Sequence, residues 1–309
     1  MPAAPMTAVE EEGGERQVDG RELAQGYVAM FFVTGRVGEG GLSDEERVWL
    51  RDWQAMLSQH DDSVASLVPR LPVVIPKLMA ALRDPGDVDF MRVAELIESD
   101  PVLSAGVLRV VNSPAMRGAA GDIESVSHAV TRMGSKGLRE VIFAAIVSPV
   151  AQFGQDARLD DVTLRSIWPL TLRVAMNVKA EAQSAGMSGR GFPLYLAGLA
   201  HSTGIMVLLR GLKTLEASRV SAAFLGELEK VARHLSVRIA SGWQFDPEAI
   251  SVLEGWAEGQ SGDPAVALLT RAIECGRLEE IHRLDRLEGD FLDAYRECFP
   301  GGEQSSVRP

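Results

Sequence analysis

Histidine, cysteine and serine are the residues of this chain that could serve as metal ligands or nucleophiles, but their spacing favours neither role. The histidines stand far apart in the sequence, at positions His60, His128, His201, His234 and His282. No HxH or HxxxH pair occurs, so no local segment places two imidazoles side by side for a metal ion. The segment from Gly186 to Gly189 lacks the GxSxG spacing of a nucleophile elbow. The sequence therefore predicts no catalytic residue, no metal site and no cofactor.

The composition is typical of a globular protein, and the net charge disfavours two classes of binding partner. Of 309 residues, 46% are hydrophobic and 24% are charged, and the net charge is -12. A net negative charge disfavours nonspecific electrostatic binding to nucleic acid or to an anionic membrane. The amino terminus has no secretory signal pattern, and the apolar runs are shorter than the roughly 20 residues of a membrane span. Two cysteines, Cys275 and Cys298, are not expected to form a disulfide framework, which favours a reducing compartment. We expect a cytoplasmic protein.

Hydrophobic periodicity predicts helices along almost the whole chain. Val74, Leu78 and Leu82 recur at four-residue steps. Asp100 followed by Pro101 is a helix-start signal, and Gly134 is a predicted helix end with a left-handed residue. A helix from Pro193 to Leu208 is apolar nearly all round, which is typical of a central buried helix. The predicted fold class is an all-α multi-helix bundle.

The expected organisation has five parts. Residues 1–20 are predicted to be a disordered tail, and residues 21–66 a helical amino-terminal extension with a glycine-rich loop. Residues 67–262 form the main domain, and residues 263–300 add helices that pack on it. Residues 301–309 are a second, frayed tail.

Several segments of the main domain resemble the HDOD family, a group of output domains related to the HD phosphohydrolases. The resemblance lies in Leu71-Pro72, in ELIESDPVLSAGVLRVVNS (95–113), in IESVSHAVTRMGSKGLREVI (123–142), in the Trp168 helix, in Ala197 to His201 followed by Gly204, and in Gly242-Trp243. It implies an all-α bundle used in bacterial signal transduction, often without enzymatic activity.

The same resemblance implies where a metal site would lie in a catalytic relative. HD enzymes bind metal through a His-Asp dipeptide and further histidines, and here the dipeptide position reads His201-Ser202. Further family positions read Leu170, Ala232 and Leu253-Glu254, with His234 out of register. His60-Asp61 spells the dipeptide, but it lies outside the domain and is interpreted as a solvated loop. We interpret His201 as a core histidine bonded to a neighbour.

Two further groups of residues have both a structural and a functional interpretation. Asn112 and Ser113 follow a helix, where Asn suits a left-handed end and its amide can satisfy loose carbonyls. The alternative makes this turn a partner-facing surface. The sequence comes nearest to a basic patch at Arg132, Lys136 and Arg139. These residues are interpreted either as a solvated helix face or as part of a partner-facing surface.

The leading functional hypothesis is a non-catalytic regulatory module that binds a protein partner, with a small ligand retained in the degenerate pocket as a variant of that idea. One alternative is a metal-dependent phosphohydrolase with a rearranged site. Another is a nucleotide-binding receptor without turnover. Nucleic acid and membrane are not expected partners.

Overall fold

The computed structural model describes residues 20–58, 67–68, 72–82, 88–117, 121–260 and 262–284, and its fold is all-α as predicted. The helices of the described residues are α1 (Gly20–Ala29), α2 (Asp44–Ser58), α3 (Ile75–Ala81), α4 (Phe90–Glu98), α5 (Pro101–Val111), α6 (Pro114–Arg117), α7 (Val126–Val147), α8 (Asp161–Ser184), α9 (Gly191–Ala200), α10 (Thr203–Gly211), α11 (Ala222–Gly242), α12 (Pro247–Ala257) and α13 (Pro264–Arg283). Short 3-10 turns at Ser148–Ala151, Ser188–Arg190 and Leu212–Thr214 connect some of them. Of the two predicted tails, only Gly20 is among the described residues, and it begins α1.

Side-chain caps start many of the helices. The Asp100 carboxylate accepts hydrogen bonds from the amides of Val102 and Leu103, at 3.0 and 2.9 Å, which confirms the predicted helix start. The helix break predicted at Gly134 also occurs, inside α7, where this residue has φ 61° and ψ 177°. Its ψ value differs from that of a left-handed helix end, so the glycine is an extended break between two helical stretches.

The central apolar segment is two helices, which corrects the continuous helix predicted from Pro193 to Leu208. The chain turns between α9 and α10 at His201 and Ser202. Side chains at this turn bond to nearby carbonyls: the His201 ring contacts the Gly198 oxygen, and the Thr203 hydroxyl donates to the Ala200 oxygen at 2.7 Å. Such local bonds compete with the helical pattern, which explains the break.

Among the described residues, one segment has the length and the apolar composition of a membrane span, and it contains α9 and α10. Ser188–Thr214 has a mean hydropathy of 1.5, but 94% of its most apolar window is buried inside the protein. It forms the core, with α8 packed along α9 and α11 along α10. Burial of this kind is typical of core helices, so the segment gives no support for a membrane location.

The amino-terminal helices pack on the main domain. Helix α1 lies against α11 and α13, and α2 lies against α11. The glycine-rich loop includes a short strand, β1 (Val37–Gly38), which pairs in parallel with β2 (Val220–Ser221). Glu46, 1% exposed, accepts hydrogen bonds from the amide and the hydroxyl of Ser221 at 2.6 and 2.9 Å. The loop is therefore attached to the domain, although the sequence suggested only a turn.

Candidate functional site

His201 and Ser202, which the family resemblance places at the His-Asp position, are buried at the junction of α9 and α10. Each is 6% exposed. The His201 Nδ1 atom lies 2.6 Å from the Gly198 carbonyl oxygen, and its ring meets the edge of Trp256 with centroids 6.1 Å apart. Because a carbonyl oxygen only accepts, we assign the imidazole proton to Nδ1.

The Ser202 hydroxyl is part of a chain of hydrogen bonds and is not free to act on a ligand. Its Oγ lies 2.6 Å from the Thr171 Oγ1, and the Thr171 hydroxyl donates to the Ile167 carbonyl oxygen at 2.7 Å. Since the Thr171 proton is used in that bond, Ser202 is the donor between the two hydroxyls. Both residues therefore have their hydrogen bonds satisfied within the core.

Ser236 on α11 closes the turn from the other side. Its hydroxyl donates to the His201 carbonyl oxygen at 2.8 Å and accepts from the Gly204 amide at 2.9 Å. The α9–α10 junction is thus bonded to α8 through Thr171 and to α11 through Ser236. This arrangement holds the turn in place, and it leaves His201 in a site with little access to water.

Burial lowers the pKa of His201 to about 4. Removal of the imidazolium from water is the main cause, and the positive charge of Arg277 lowers the pKa further. The hydrogen bond to Gly198 and the carboxylate of Glu229 act in the opposite direction. His201 is therefore a neutral imidazole at neutral pH.

A cluster of charged residues, whose carboxylates are buried and some of whose arginines reach the surface, acts on the pKa of His201; we call it the charged cluster. Its members are Glu229 and Arg233 on α11, Arg173 on α8, and Arg277, Glu280 and Arg283 on α13. The Arg277 Nη2 atom lies 2.7 Å from the Glu229 Oε1 atom, and the Arg233 Nε atom lies 3.2 Å from the same oxygen. Glu280 pairs with Arg173 and Arg283 at 3.2 and 2.5 Å. The carboxylates are thus neutralised by arginines.

Aromatic rings connect the charged cluster to His201. The Arg233 guanidinium lies over the Trp256 ring at 4.9 Å, and Trp256 is the ring that meets His201. The Arg277 guanidinium lies over the Tyr27 ring of α1 at 5.0 Å. Each of these arginines therefore packs on an aromatic ring of a neighbouring helix, Arg233 on α12 and Arg277 on α1.

The residues around His201 do not fit a divalent metal. Metal ions in HD-like sites need several anionic or imidazole ligands, which here are replaced by two hydroxyls, a tryptophan edge and guanidinium groups. Among the described residues, no group of three or more His, Cys, Asp or Glu side chains could hold a metal ion. Glu229 is the carboxylate whose charge acts on the pKa of His201, and it is already paired with Arg277 and Arg233.

The other family positions at which the sequence lacked a ligand are apolar in the structure. Leu170, Ala232 and Leu253 are 2%, 3% and 0% exposed, respectively. His234 lies on the outer face of α11, in an open pocket of about 450 Å³ with Arg238, Glu254 and Glu258. It is therefore out of register with His201. His60 and Asp61 lie outside the described residues.

Sequence reasoning missed the charged cluster, because charges on helices are ordinarily assigned to the solvated face. A signal was present in α11. Glu229 follows Leu225 by four residues and precedes Ala232 by three, so it falls within the apolar stripe of that helix. A carboxylate on the buried face predicts a buried cationic partner, although not which one.

Asn112 acts as a two-sided clamp and does not form the left-handed helix end predicted for it. Its φ and ψ are -91° and 1°, and it closes α5 without a positive φ. The side-chain Nδ2 donates to the Ile123 carbonyl oxygen and Oδ1 accepts from the Ile123 amide, both at 2.8 Å. Ser113 donates to the Val110 carbonyl oxygen at 2.7 Å. The Asn112 amide therefore satisfies backbone groups, as the structural interpretation predicts. These groups belong to Ile123, which lies eleven residues further along the chain.

Arg132, Lys136 and Arg139 have three different environments. Arg132 donates to the carbonyl oxygens of Arg117 and Gly121 at 2.9 and 3.3 Å, so it holds the same segment that Asn112 clamps. Lys136 is exposed, and it makes no hydrogen bond or ion pair with any described residue. Arg139 lies over the Phe192 ring at 5.3 Å, and its Nε atom is buried without a hydrogen-bond partner.

The fold and the buried His201-Ser202 junction define an HD-like helical bundle. The family model described as the HDOD domain matches residues 68–254, which is more than half of the chain. The chain belongs to the HDOD family. No curated protein matches it by sequence.

Two solved structures are similar in fold. One, from Shewanella amazonensis SB2B, is described provisionally as a metal-dependent phosphohydrolase; it has a TM-score of 0.56 and 21% identity, over 83% of this chain and 98% of that one. The other is an HDOD domain protein with unknown function from Geobacter sulfurreducens, with a TM-score of 0.52 and 20% identity, over 82% of this chain and 88% of that one. At these identities the similarity concerns the fold alone.

Replacing Asn112 by aspartate should destabilise the protein by about 2 kcal/mol, because one oxygen would then face the Ile123 carbonyl oxygen with no proton between them. Chemical denaturation of the purified variant measures this. Asn112→Ala, which loses both hydrogen bonds without adding a repulsion, should cost less than Asn112→Asp. Equal stability of Asn112→Asp and the unmodified protein would contradict the clamp.

Lowering the pH from about 6.5 to 4 should reduce the free energy of unfolding through His201 by up to about 3 kcal/mol. The sign follows from the pKa of about 4 in the folded state. Between these pH values the unfolded chain binds a proton that the folded protein does not bind, so the contribution is full above pH 6.5 and is lost as the pH falls. Urea unfolding of His201→Gln at several pH values measures the difference, because glutamine keeps a donor but does not titrate. Parallel pH profiles for the two proteins would show that His201 is not buried as a neutral group.

Proposed function

We propose that this HDOD protein is a non-catalytic regulatory module that acts by binding a protein partner, in the cytoplasm. The observation that carries the proposal is the internal ion pair of Arg277 and Glu229 beside His201, at 2.7 Å. A hydrolase of this fold would require anionic side chains free to bind a cation at that site. Here the cation is a guanidinium that belongs to the chain itself.

The shape of the site supports the same function. His201 and Ser202 are each 6% exposed, and their polar atoms are engaged with Gly198, Thr171 and, through Ser236, with α11. A phosphoryl substrate needs an open cleft in which a water molecule and the substrate meet a charged ligand set. A filled core offers neither, whereas the surface of the bundle is available for contacts with another protein.

The two cysteines do not support a cytoplasmic location. Cys275 on α13 is disulfide-bonded, so the argument from the absence of a disulfide framework loses its basis, and Cys298 lies outside the described residues. The cytoplasmic part of the proposal rests on membership of the HDOD family, which the resemblance links to bacterial signal transduction.

A phosphodiesterase assay tests the proposal against the metal-dependent hydrolase named for the Shewanella protein. Bis(p-nitrophenyl) phosphate and cyclic dinucleotides are offered to the protein with Mn²⁺, Fe²⁺ or Zn²⁺ present. We expect no turnover above that of the His201→Gln variant. Turnover that depends on metal and is abolished in His201→Gln would establish the hydrolase instead, and cyclic dinucleotide binding without turnover would favour the receptor.

A further inference from the structure

A continuous strip of aromatic rings leads from the basic residues of α7 to an apolar pocket; we call it the basic-aromatic strip. The Arg139 guanidinium covers Phe192 at 5.3 Å, and Phe192 meets Phe143 with centroids 6.0 Å apart. Phe143 packs at 5.3 Å on Phe245, which lies 5.8 Å from Trp243. Phe143 lines the pocket and, like Phe192, is partly exposed, whereas Phe245 and Trp243 are buried. The exposed path from the cation to the pocket therefore runs over Phe192 and Phe143.

The pocket lies between α3 and the end of α11, and it has a volume of about 430 Å³. This is within the range of small-ligand and side-chain pockets, roughly 300–1,000 Å³. Its lining is mainly apolar and includes Val73, Met79 and Phe143. Val73 at this pocket is 91% exposed, which is unusual for a valine beside other apolar side chains.

The Trp243 ring forms part of the pocket wall. Trp243 is 5% exposed, and its Nε1–H makes no hydrogen bond with any described residue. The Nε1 atom is covered by protein atoms, so a ligand in the pocket meets the apolar ring and not the donor. The positive φ of Gln244, 53°, has a separate cause. It forms a left-handed helix end, with the Phe245 amide bonded to the Ala240 carbonyl oxygen at 3.0 Å.

The opposite end of the strip carries two cations that have no counter-ion among the described residues. Neither Lys136 nor Arg139 makes an ion pair with any described residue. The neighbouring acid on α7, Glu140, is bound to Lys179. In a protein with a net charge of -12, a basic face with no internal partner is complementary to an acidic one.

We infer that the basic-aromatic strip docks an acidic peptide segment of the partner protein, which places one large apolar side chain in the pocket. The inference rests on the proposed function and specifies its partner surface. An acidic peptide supplies both features that the strip requires: carboxylates for Lys136 and Arg139, and an apolar anchor for the pocket. A nucleic acid fits less well, because the apolar end of the strip offers nothing to a phosphate and the net charge repels the polyanion.

Fluorescence anisotropy with labelled synthetic peptides tests the inference on the full chain. The first probe has a leucine or phenylalanine flanked by Asp and Glu, the second replaces this anchor by serine, and the third replaces the acidic flanks by lysines. The variants are the charge reversal Lys136→Glu with Arg139→Glu, and a matched control, Lys213→Glu, at an exposed lysine outside the strip. We expect the reversal to weaken the first probe at least about tenfold and to strengthen the third, with no change in the control.

Val73→Asn tests the pocket end, because Val73 lines the pocket and is 91% exposed. This variant should weaken the first probe several-fold and leave the serine probe unchanged, because only the first probe places an apolar side chain there. Thermal unfolding checks that each variant folds. If the charge reversal does not fold, because the Arg139 Nε atom is buried, Lys136→Glu alone still decides, since Lys136 is exposed.

The inference is overturned if the first probe binds the reversal variant as well as the unmodified protein, if no peptide binds, or if a single-stranded oligonucleotide binds the strip in its place. These outcomes leave the proposed function standing as long as the same samples show no metal-dependent phosphodiesterase activity. Activity in those samples would remove the proposed function itself.

Discussion

Replacing Arg277 by methionine should lower the free energy of unfolding by roughly 3–5 kcal/mol, one of the two largest effects that we expect in this protein. The change removes the ion pair at 2.7 Å with Glu229, which is 5% exposed, and the stacking of the guanidinium on Tyr27. A buried carboxylate would remain, and Arg233 would be its one ion-pair partner among the described residues. Urea unfolding followed by circular dichroism at neutral pH measures the loss.

A double variant separates the ion pair from simple loss of packing. Arg277→Met combined with Glu229→Gln removes both charges while keeping similar side-chain volumes, and it should recover most of the stability lost in the single variant. If the double variant is as unstable as the sum of the two single variants, the two residues do not act as a pair. If Arg277→Met alone stays within about 1 kcal/mol of the unmodified protein, the guanidinium is not a structural cation in the core.

Replacing Gly204 by alanine should cost about 3 kcal/mol or more, because the added methyl group has no room. A Cβ atom at this position would lie 1.9 Å from the Ala232 carbonyl oxygen and 2.9 Å from the Ser236 amide nitrogen. These are backbone atoms, so α10 and α11 would have to separate. The movement would also disturb the hydrogen bond from the Gly204 amide to Ser236.

The matched control for Gly204 is Gly242→Ala near the end of α11, where nothing lies within 4 Å of an added Cβ. That substitution should be neutral or slightly stabilising, because alanine has the higher helix propensity. Thermal unfolding compares the two variants. A Gly204→Ala variant as stable as Gly242→Ala would show that α10 and α11 do not approach as closely as the structure has them.

Much of the fold followed from local patterns. The Asp100-Pro101 helix start and the apolar stripes depend on neighbours in sequence, and the structure contains them. The break between α9 and α10 was missed, because it depends on the local hydrogen bonds of His201 and Thr203 within an apolar run. The pairing of β1 with β2 was missed because its partners are about 180 residues apart, beyond the reach of any local pattern.

The sequence predicts which metal ligands the site lacks, but it does not predict which side chains occupy the site. Serine at position 202 and leucine at position 170 show in the sequence that family ligands are missing. No sequence pattern indicates that Arg277, 76 residues after His201, pairs with Glu229 beside it. Likewise, Asn112 was read as a local helix end because the Ile123 backbone that it clamps becomes its neighbour only in the fold.

The metal content of untagged protein tests the central claim most directly. The protein is purified without chelator, incubated with Mn²⁺, Fe²⁺ or Zn²⁺, desalted and analysed by elemental mass spectrometry, with His201→Gln as the control. Because Glu229 is paired with Arg277 and the side chains bonded around the His201 turn are hydroxyls, we expect far less than one bound ion per chain and no difference from the control. About one ion per chain, lost in His201→Gln, would contradict the account and identify a working HD-type metal site.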